Sequence, residues 1–223
     1  MPQAIERLFF YILTYSFLLP IIFFFIFFKK LKSNKVAIAV VIYSIIIFLF
    51  LSFDDYLNHY YRHWYSTLYT ATEYSCFAFV IGQIIQKKKI KFLIFFLSLL
   101  FIIFEIIYLF KIRFNVIDSV PIGVETILIL LYAFYLFFEQ FQKIETTYMY
   151  NNYWFWFVIG IIFYLSSSFF FNILGDIHLV AYWYLTYIFE TIKNLLFVVG
   201  IIFLSKQQDL NKNSTTIPFL DVI

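Results

Sequence analysis

Seven runs of mostly apolar residues follow one another along this chain, over residues 8–28, 36–53, 66–86, 90–110, 120–140, 152–174 and 179–205. At about 1.5 Å of rise per residue, each can carry a helix through most or all of the roughly 30 Å of hydrocarbon in a bilayer. In lipid every backbone N–H and C=O must be bonded within the protein, which leaves helices as the spanning element for runs of this kind. The expectation is therefore an all-α, polytopic membrane protein, with a single seven-helix transmembrane domain over 1–205 and a short cytoplasmic tail over 206–223. The second run is short, and the last is long enough to tilt or project. The first run is too long for the apolar part of a signal peptide, and no small-residue cleavage site precedes Lys29, so it reads as part of the mature chain.

Composition agrees: 64% of the residues are hydrophobic and only 13% charged, too little polar surface for a water-soluble domain. The single cysteine, Cys76, excludes an intramolecular disulfide.

Lys and Arg are retained on the cytoplasmic side of a membrane, which orients the chain. Lys29, Lys30, Lys32 and Lys35 follow the first run, Lys87, Lys88, Lys89 and Lys91 the third, Lys143 the fifth, and Lys206 and Lys212 the last. The alternate connections hold only Arg7, Arg62, Lys111 and Arg113. This places the N-terminus outside, the C-terminus inside, and the protein in the cell inner membrane as a multi-pass chain. The basic clusters enforce topology and touch anionic lipid. Neither resembles a nucleic-acid site, so the lipid bilayer is the expected partner.

Four carboxylates interrupt the apolar runs, and a carboxylate inside a bilayer is costly. Glu73 is 14 residues from Lys87, Glu105 14 from Lys91, Glu125 15 from Gln140 and Glu190 16 from Lys206. All four therefore fall about 21 to 24 Å above the inner boundary, as one layer in the outer third of the membrane. Ser166, Ser167 and Ser168 reach the same level, as do Thr14 and Tyr15, whereas the second run has no obvious polar group there. Ser66, Tyr69, Thr70, Glu73 and Gln83 share one helical face, and Thr186, Glu190, Lys193 and Asn194 another. Lys193, three residues after Glu190, can pair with it within one helix. Singly, such groups are often polar glue between helices. Together, Glu73, Glu105, Glu125, Glu190, Lys193, Asn194, Ser167, Tyr69 and Thr70 point to an outward-facing acidic pocket for a small molecule or ion, or to a proton relay.

A second constellation lies outside. If the second helix continues through Asp55, His59 and His63, these recur at steps of four and present one face, as zinc ligands would, and Asp176 and His178 lie on the same side of the membrane. The segment has no H-E-x-x-H pattern, and external His and Asp are usually just solvated. Glu73, Glu125 and Glu190 each stand near the outer start of an odd-numbered helix. This reads as a loose repetition: one helix followed by three helical hairpins.

The segment Trp64-Tyr65-Ser66-Thr67-Leu68-Tyr69-Thr70-Ala71-Thr72-Glu73-Tyr74 and the segment Ile192-Lys193-Asn194-Leu195-Leu196-Phe197 resemble a group of uncharacterised seven-helix integral membrane proteins common in Bacteroidota. About 17 residues carry the likeness, with helix count and length agreeing across the chain. That group often has His where this chain has Thr67, which argues against His-dependent chemistry there. The resemblance implies fold and source rather than activity.

Three functional classes remain. A sensor, receptor-like protein or accessory subunit would admit a ligand to the outer pocket and signal through a membrane partner or a homo-oligomer, which suits the short cytoplasmic loops. An ion- or proton-coupled transporter or channel would need a path inward, for which Gln83 and Asn194 are sparse steps. A metal-dependent intramembrane hydrolase would use the outer His and Asp residues with a metal-activated water, but the Ser, Asp and His spacing of ceramidase-like and progestin-receptor-like hydrolases is not matched. No Ser-His-Asp arrangement, phosphate-cradling loop or nucleotide motif appears. The balance favours a sensor over an enzyme, with no cofactor unless the outer cluster binds zinc.

Overall fold

The computed structural model describes residues 3–53, 62–111, 119–142, 149–173 and 184–214, and these are helical apart from short turns. The helices are α1 (Gln3–Ser16), α2 (Leu18–Ile26), α3 (Phe28–Leu31), α4 (Lys35–Phe53), α5 (Arg62–Ile84), α6 (Lys88–Lys111), α7 (Ser119–Phe141), α8 (Tyr153–Ile173) and α9 (Tyr184–Ser214). The first apolar run is thus divided. Pro20 has no N–H to give the Ser16 carbonyl, and the helix breaks between Ser16 and Leu18. Asn34 starts α4 as an N-cap, its Oδ1 accepting the N–H groups of Val36 at 3.0 Å and Ala37 at 3.1 Å. The last helix runs on through the first part of the expected tail, to Ser214.

Among the described residues, six helices rather than seven are long and apolar enough to cross a membrane: Ile5–Ile26, Lys35–Phe53, Lys88–Phe110, Val120–Phe141, Tyr153–Phe171 and Tyr184–Gln208. The protein is therefore a multi-pass helical membrane protein. The exception is α5, the third expected span. It is 23 residues long, but Ser66, Thr67, Thr70, Thr72, Glu73, Ser75 and Gln83 make it too polar to qualify on composition.

That polar helix stands within the bundle. Six elements form a closed ring in which α1/α2 packs on α4, α4 on α5, α5 on α7, α7 on α8, α8 on α9, and α9 back on α1 and α2. The remaining long helix, α6, lies outside the ring, against α5, and touches α7 only slightly. Its outer face is a helical stripe of bare apolar side chains, from Phe92 and Phe95 through Leu99 and Ile106 to Phe110, 74% exposed. A helix so apolar on its outward face belongs against acyl chains. The expected run of three similar hairpins therefore fails at its middle member. The reason is that α5 takes both as neighbours: α7, with Glu125 on its inward face, holds the ring position beside it, and α6, largely apolar, packs on its outer side.

Hydroxyls within the bundle satisfy themselves locally. Ser44, Ser98, Thr126 and Thr191 each donate to the carbonyl four residues earlier, at 2.8 Å. At the basic end, the buried Glu139 carboxylate accepts the backbone N–H groups of Gln86 at 3.0 Å and Lys87 at 3.1 Å, placing an anion at the start of α6.

The most extensive contact, between α8 and α9, is set by two glycines. A Cβ on Gly200 would come within 2.8 Å of the Phe157 ring, and one on Gly160 within 3.3 Å of Leu196 Cβ and 3.4 Å of the Lys193 carbonyl. Small residues let the two backbones approach where lipid gives no hydrophobic drive to association. Gly200→Ala is expected to destabilise the protein by about 1–3 kcal/mol through overpacking against Phe157. Gly82→Ala, whose Cβ would meet nothing closer than Ile94 at 3.9 Å, is expected to leave the melting temperature unchanged or raised. Thermal unfolding in detergent, read by exposure of the single Cys76 thiol, compares the two.

Candidate functional site

The ring gathers a charged network around Lys193, whose side chain is fully buried. Its Nζ lies 3.3 Å from Glu190 Oε1, one turn earlier on α9, and 3.7 Å from Glu73 Oε1 on α5. It also donates to the Tyr43 hydroxyl of α4 at 2.5 Å. That hydroxyl donates to Glu73 Oε1 at 2.7 Å, and the Tyr164 hydroxyl of α8 donates to Glu73 Oε2 at 2.8 Å. Tyr69, one turn before Glu73 on α5, donates to Glu190 Oε1 at 2.9 Å.

Aromatic faces complete the ammonium's surroundings. The Nζ stands 4.1 Å from the Tyr164 ring centroid, 4.8 Å from Tyr43, 5.2 Å from Phe17 and 5.6 Å from Phe77. Removing a charge from water costs several kcal/mol unless partners replace the lost hydration. Charge-assisted hydrogen bonds and ring quadrupoles supply that replacement. Beside Lys193, Asn194 Nδ2 donates to Ser16 Oγ at 2.7 Å, fastening α9 to the proline-interrupted first segment.

Above this network opens a cavity of about 310 Å³. Its walls come from one end of the ring: Phe10 and Leu13 of α1, Leu51 of α4, Tyr65, Ser66, Tyr69, Thr70 and Glu73 of α5, Ile122 and Glu125 of α7, Tyr164, Leu165 and Ser168 of α8, and Thr186, Tyr187 and Glu190 of α9. Exposure is graded along it. Tyr65, Ser66, Thr186 and Tyr187 are half-buried, whereas Glu73, Glu125 and Glu190 are buried at its floor and wall. Glu125 Oε1 has no hydrogen-bond partner among the described residues. Beneath the network the interior turns apolar: Phe77, Ile81, Phe157, Ile161, Phe197 and Ile201 are all fully buried.

The structure thus brings Glu73, Glu125, Glu190, Tyr69 and Thr70 to one cavity, with Lys193 and Asn194 directly below. Two expected members fall elsewhere. Glu105 is buried on the outlying α6, outside the cavity lining. Ser167 gives its hydroxyl to the Tyr164 carbonyl at 2.7 Å and faces an apolar hollow with Phe163, Phe170 and Phe189, while Ser168 lines the cavity instead. Tyr15 points outward. Asp55, His59, Asp176 and His178 lie outside the described residues, as does the side chain of His63. Among the described residues no three His, Cys, Asp or Glu groups gather as a metal site would require.

Tyr43, Tyr164 and Ser16 are members of the buried network that the depth count passed over. Tyr43 supplies the polar group that α4 lacked at the glutamate level: it is rooted lower, eight residues after Lys35, at the level of Lys193. No protein-family model, curated protein or solved structure matches this chain.

Lys193→Met is expected to lower stability by about 3–5 kcal/mol, because Glu73 and Glu190 lose the cation between them. The triple substitution Lys193→Met, Glu73→Gln, Glu190→Gln is expected to recover more than half of that loss. Melting temperatures of the two variants decide it, and a triple variant no more stable than the single one contradicts the pairing.

Proposed function

We propose that this protein is a receptor-like or accessory subunit of the inner membrane, binding a small ligand in an outward-facing acidic cavity. The observation that carries this reading is the floor of the cavity. Glu73, Glu190, Tyr69 and Tyr164 line it and also belong to the network that joins α4, α5, α8 and α9. A ligand touching those atoms touches the bonds that set helix packing, so occupancy and packing are linked.

In this reading α5 is a seventh span. Its 23 residues give about 34 Å of helix, and it stands between α4 and α7 in a ring of spanning neighbours. The N-terminus is outside and the C-terminus inside, so the cavity faces outward and the basic end faces the cytoplasm. Short cytoplasmic connections leave output to a membrane signalling partner or a second copy of the chain. The apolar layer beneath Lys193, from Phe77 and Phe157 to Ile201, favours reception over transport, since a polar solute moving inward would meet no replacement for its partners there.

The test uses a Cys76→Ala background in intact cells. Ser66→Cys, in the cavity, is expected to react with a membrane-impermeant thiosulfonate from outside, and Lys89→Cys, at the basic end, is expected to react only after permeabilisation. Filling the cavity through Ser66→Cys should also shift the melting temperature by several degrees, and the same adduct at Lys89→Cys should not. A Ser66→Cys that stays unreactive while Lys89→Cys reacts from outside, or an adduct that leaves melting unchanged, sinks the reading.

A further inference from the structure

The cavity's unbalanced chemistry identifies the class of ligand, granted the binding role proposed above. Three glutamates, Glu73, Glu125 and Glu190, line it, and the cation that pairs with them among the described residues, Lys193, is divided between Glu73 and Glu190. Glu125 lies on α7, the ring helix that among the described residues supplies none of the lysine's contacts given above. It is 1% exposed, and its Oε1 has no hydrogen-bond partner among the described residues. A buried carboxyl oxygen left without a donor is costly, so a ligand that supplies a donor is favoured there.

The walls around it are aromatic: Phe10, Tyr65, Tyr69, Tyr164 and Tyr187. The protein's own core shows what such a setting holds, since Lys193 rests between carboxylates with its ammonium 4.1 Å from the face of Tyr164, a ring that also lines the cavity. Carboxylates with aromatic faces are the surroundings of a desolvated ammonium.

We propose that the cavity binds a small organic cation carrying a primary ammonium group, with the ammonium at the Glu125 carboxyl and its apolar body against the tyrosine rings. At about 310 Å³ the space lies at the small end of ligand sites, which run from roughly 300 to 1,000 Å³. A single-headed amine fits this arrangement better than a long polyamine, because Glu73 and Glu190 are already engaged by Lys193.

The test again uses Ser66→Cys in the Cys76→Ala background, with aminoethyl and sulfonatoethyl thiosulfonates as cationic and anionic probes. Rates are normalised to those of a free thiol. A preference for the cationic probe of about tenfold or more is expected, the enrichment typical of a cleft lined by one sign of charge. n-Butylammonium should slow modification while n-butanol and butyrate do not, and Glu125→Gln should remove that protection. The rate preference needs no change at Glu125 and stands even if that variant folds poorly. Equal rates for the two probes, or protection by butyrate or butanol as strong as by butylammonium, overturn the cation assignment and leave the open cavity standing. If neither probe reacts, the cavity reading itself fails and this assignment falls with it.

Discussion

A fully buried ammonium is the constraint on which the rest of this bundle depends. Lys193 has left water altogether, and its stability rests on every partner arriving at once: two carboxylates, a hydroxyl and four ring faces. Those partners come from the α1–α2 break (Phe17), α4 (Tyr43), α5 (Glu73 and Phe77), α8 (Tyr164) and α9 itself (Glu190). One charge thus draws together five of the six members of the ring. Lipid gives apolar helices no reason to prefer one neighbour over another, so a polar network of this kind is what can specify their order. The outlying position of α6 accords with this: the lysine's two carboxylate pairs are with Glu73 and Glu190 of ring helices, and the outward face of α6 suits lipid.

The same demand accounts for local irregularities. Tyr164 overlies Lys193 at 4.1 Å only because α8 and α9 approach closely, and the glycine that permits this, Gly160, is four residues before Tyr164 on the same face of α8. A Cβ there would crowd Leu196 Cβ at 3.3 Å and come into contact with the carbonyl of Lys193 itself. Pro20 interrupts the first segment where Ser16 and Phe17 turn inward, the one to Asn194 and the other to the ammonium. The break before Pro20 and the close approach at Gly160 thus both fall beside the charge, while Gly200 extends the α8–α9 contact into the apolar layer below.

How much of this was legible in the chain follows from the range of each interaction. Long apolar runs and basic connections are properties of single segments, so the all-helical, multi-pass character could be read directly. Depth is also a one-helix property, and counting it placed Glu73, Glu105, Glu125 and Glu190 at one level; the structure has Glu73, Glu125 and Glu190 line a single cavity and leaves Glu105 on α6, outside it. Which helices adjoin is not a one-helix property. The hairpin repetition misjudged α6 and α7 because the choice of α5's neighbour depends on side chains from several helices at once. Tyr43 and Tyr164 were hidden for a related reason: among 19 tyrosines, nothing local marks the two whose hydroxyls reach Glu73. The choice of Ser168 over its neighbour Ser167 turns on a rotation of about 100° per residue, finer than a depth count resolves.

The placement of the lysine also bears on what an occupant of the cavity can do. Nζ lies nearly midway between two carboxylates, 3.3 Å from Glu190 and 3.7 Å from Glu73, and only its bond to Tyr43 ties it to α4. Glu190 belongs to the same helix as the lysine, whereas Glu73 and Tyr43 belong to others. A ligand that competes for Glu190 therefore weakens a contact internal to α9 and shifts the ammonium's share toward α4 and α5, whereas one that takes Tyr69 breaks its bond to Glu190, a tie between α5 and α9. A ligand that competes for Glu73 does the reverse and loosens α9 from its neighbours. The apolar layer of Phe77, Phe157, Phe197 and Ile201 below allows the charge no downward escape. On the receptor reading, then, the energy of occupancy is released as a change in how firmly α9 is held, and α9 is the helix that continues beyond the bundle at its basic end.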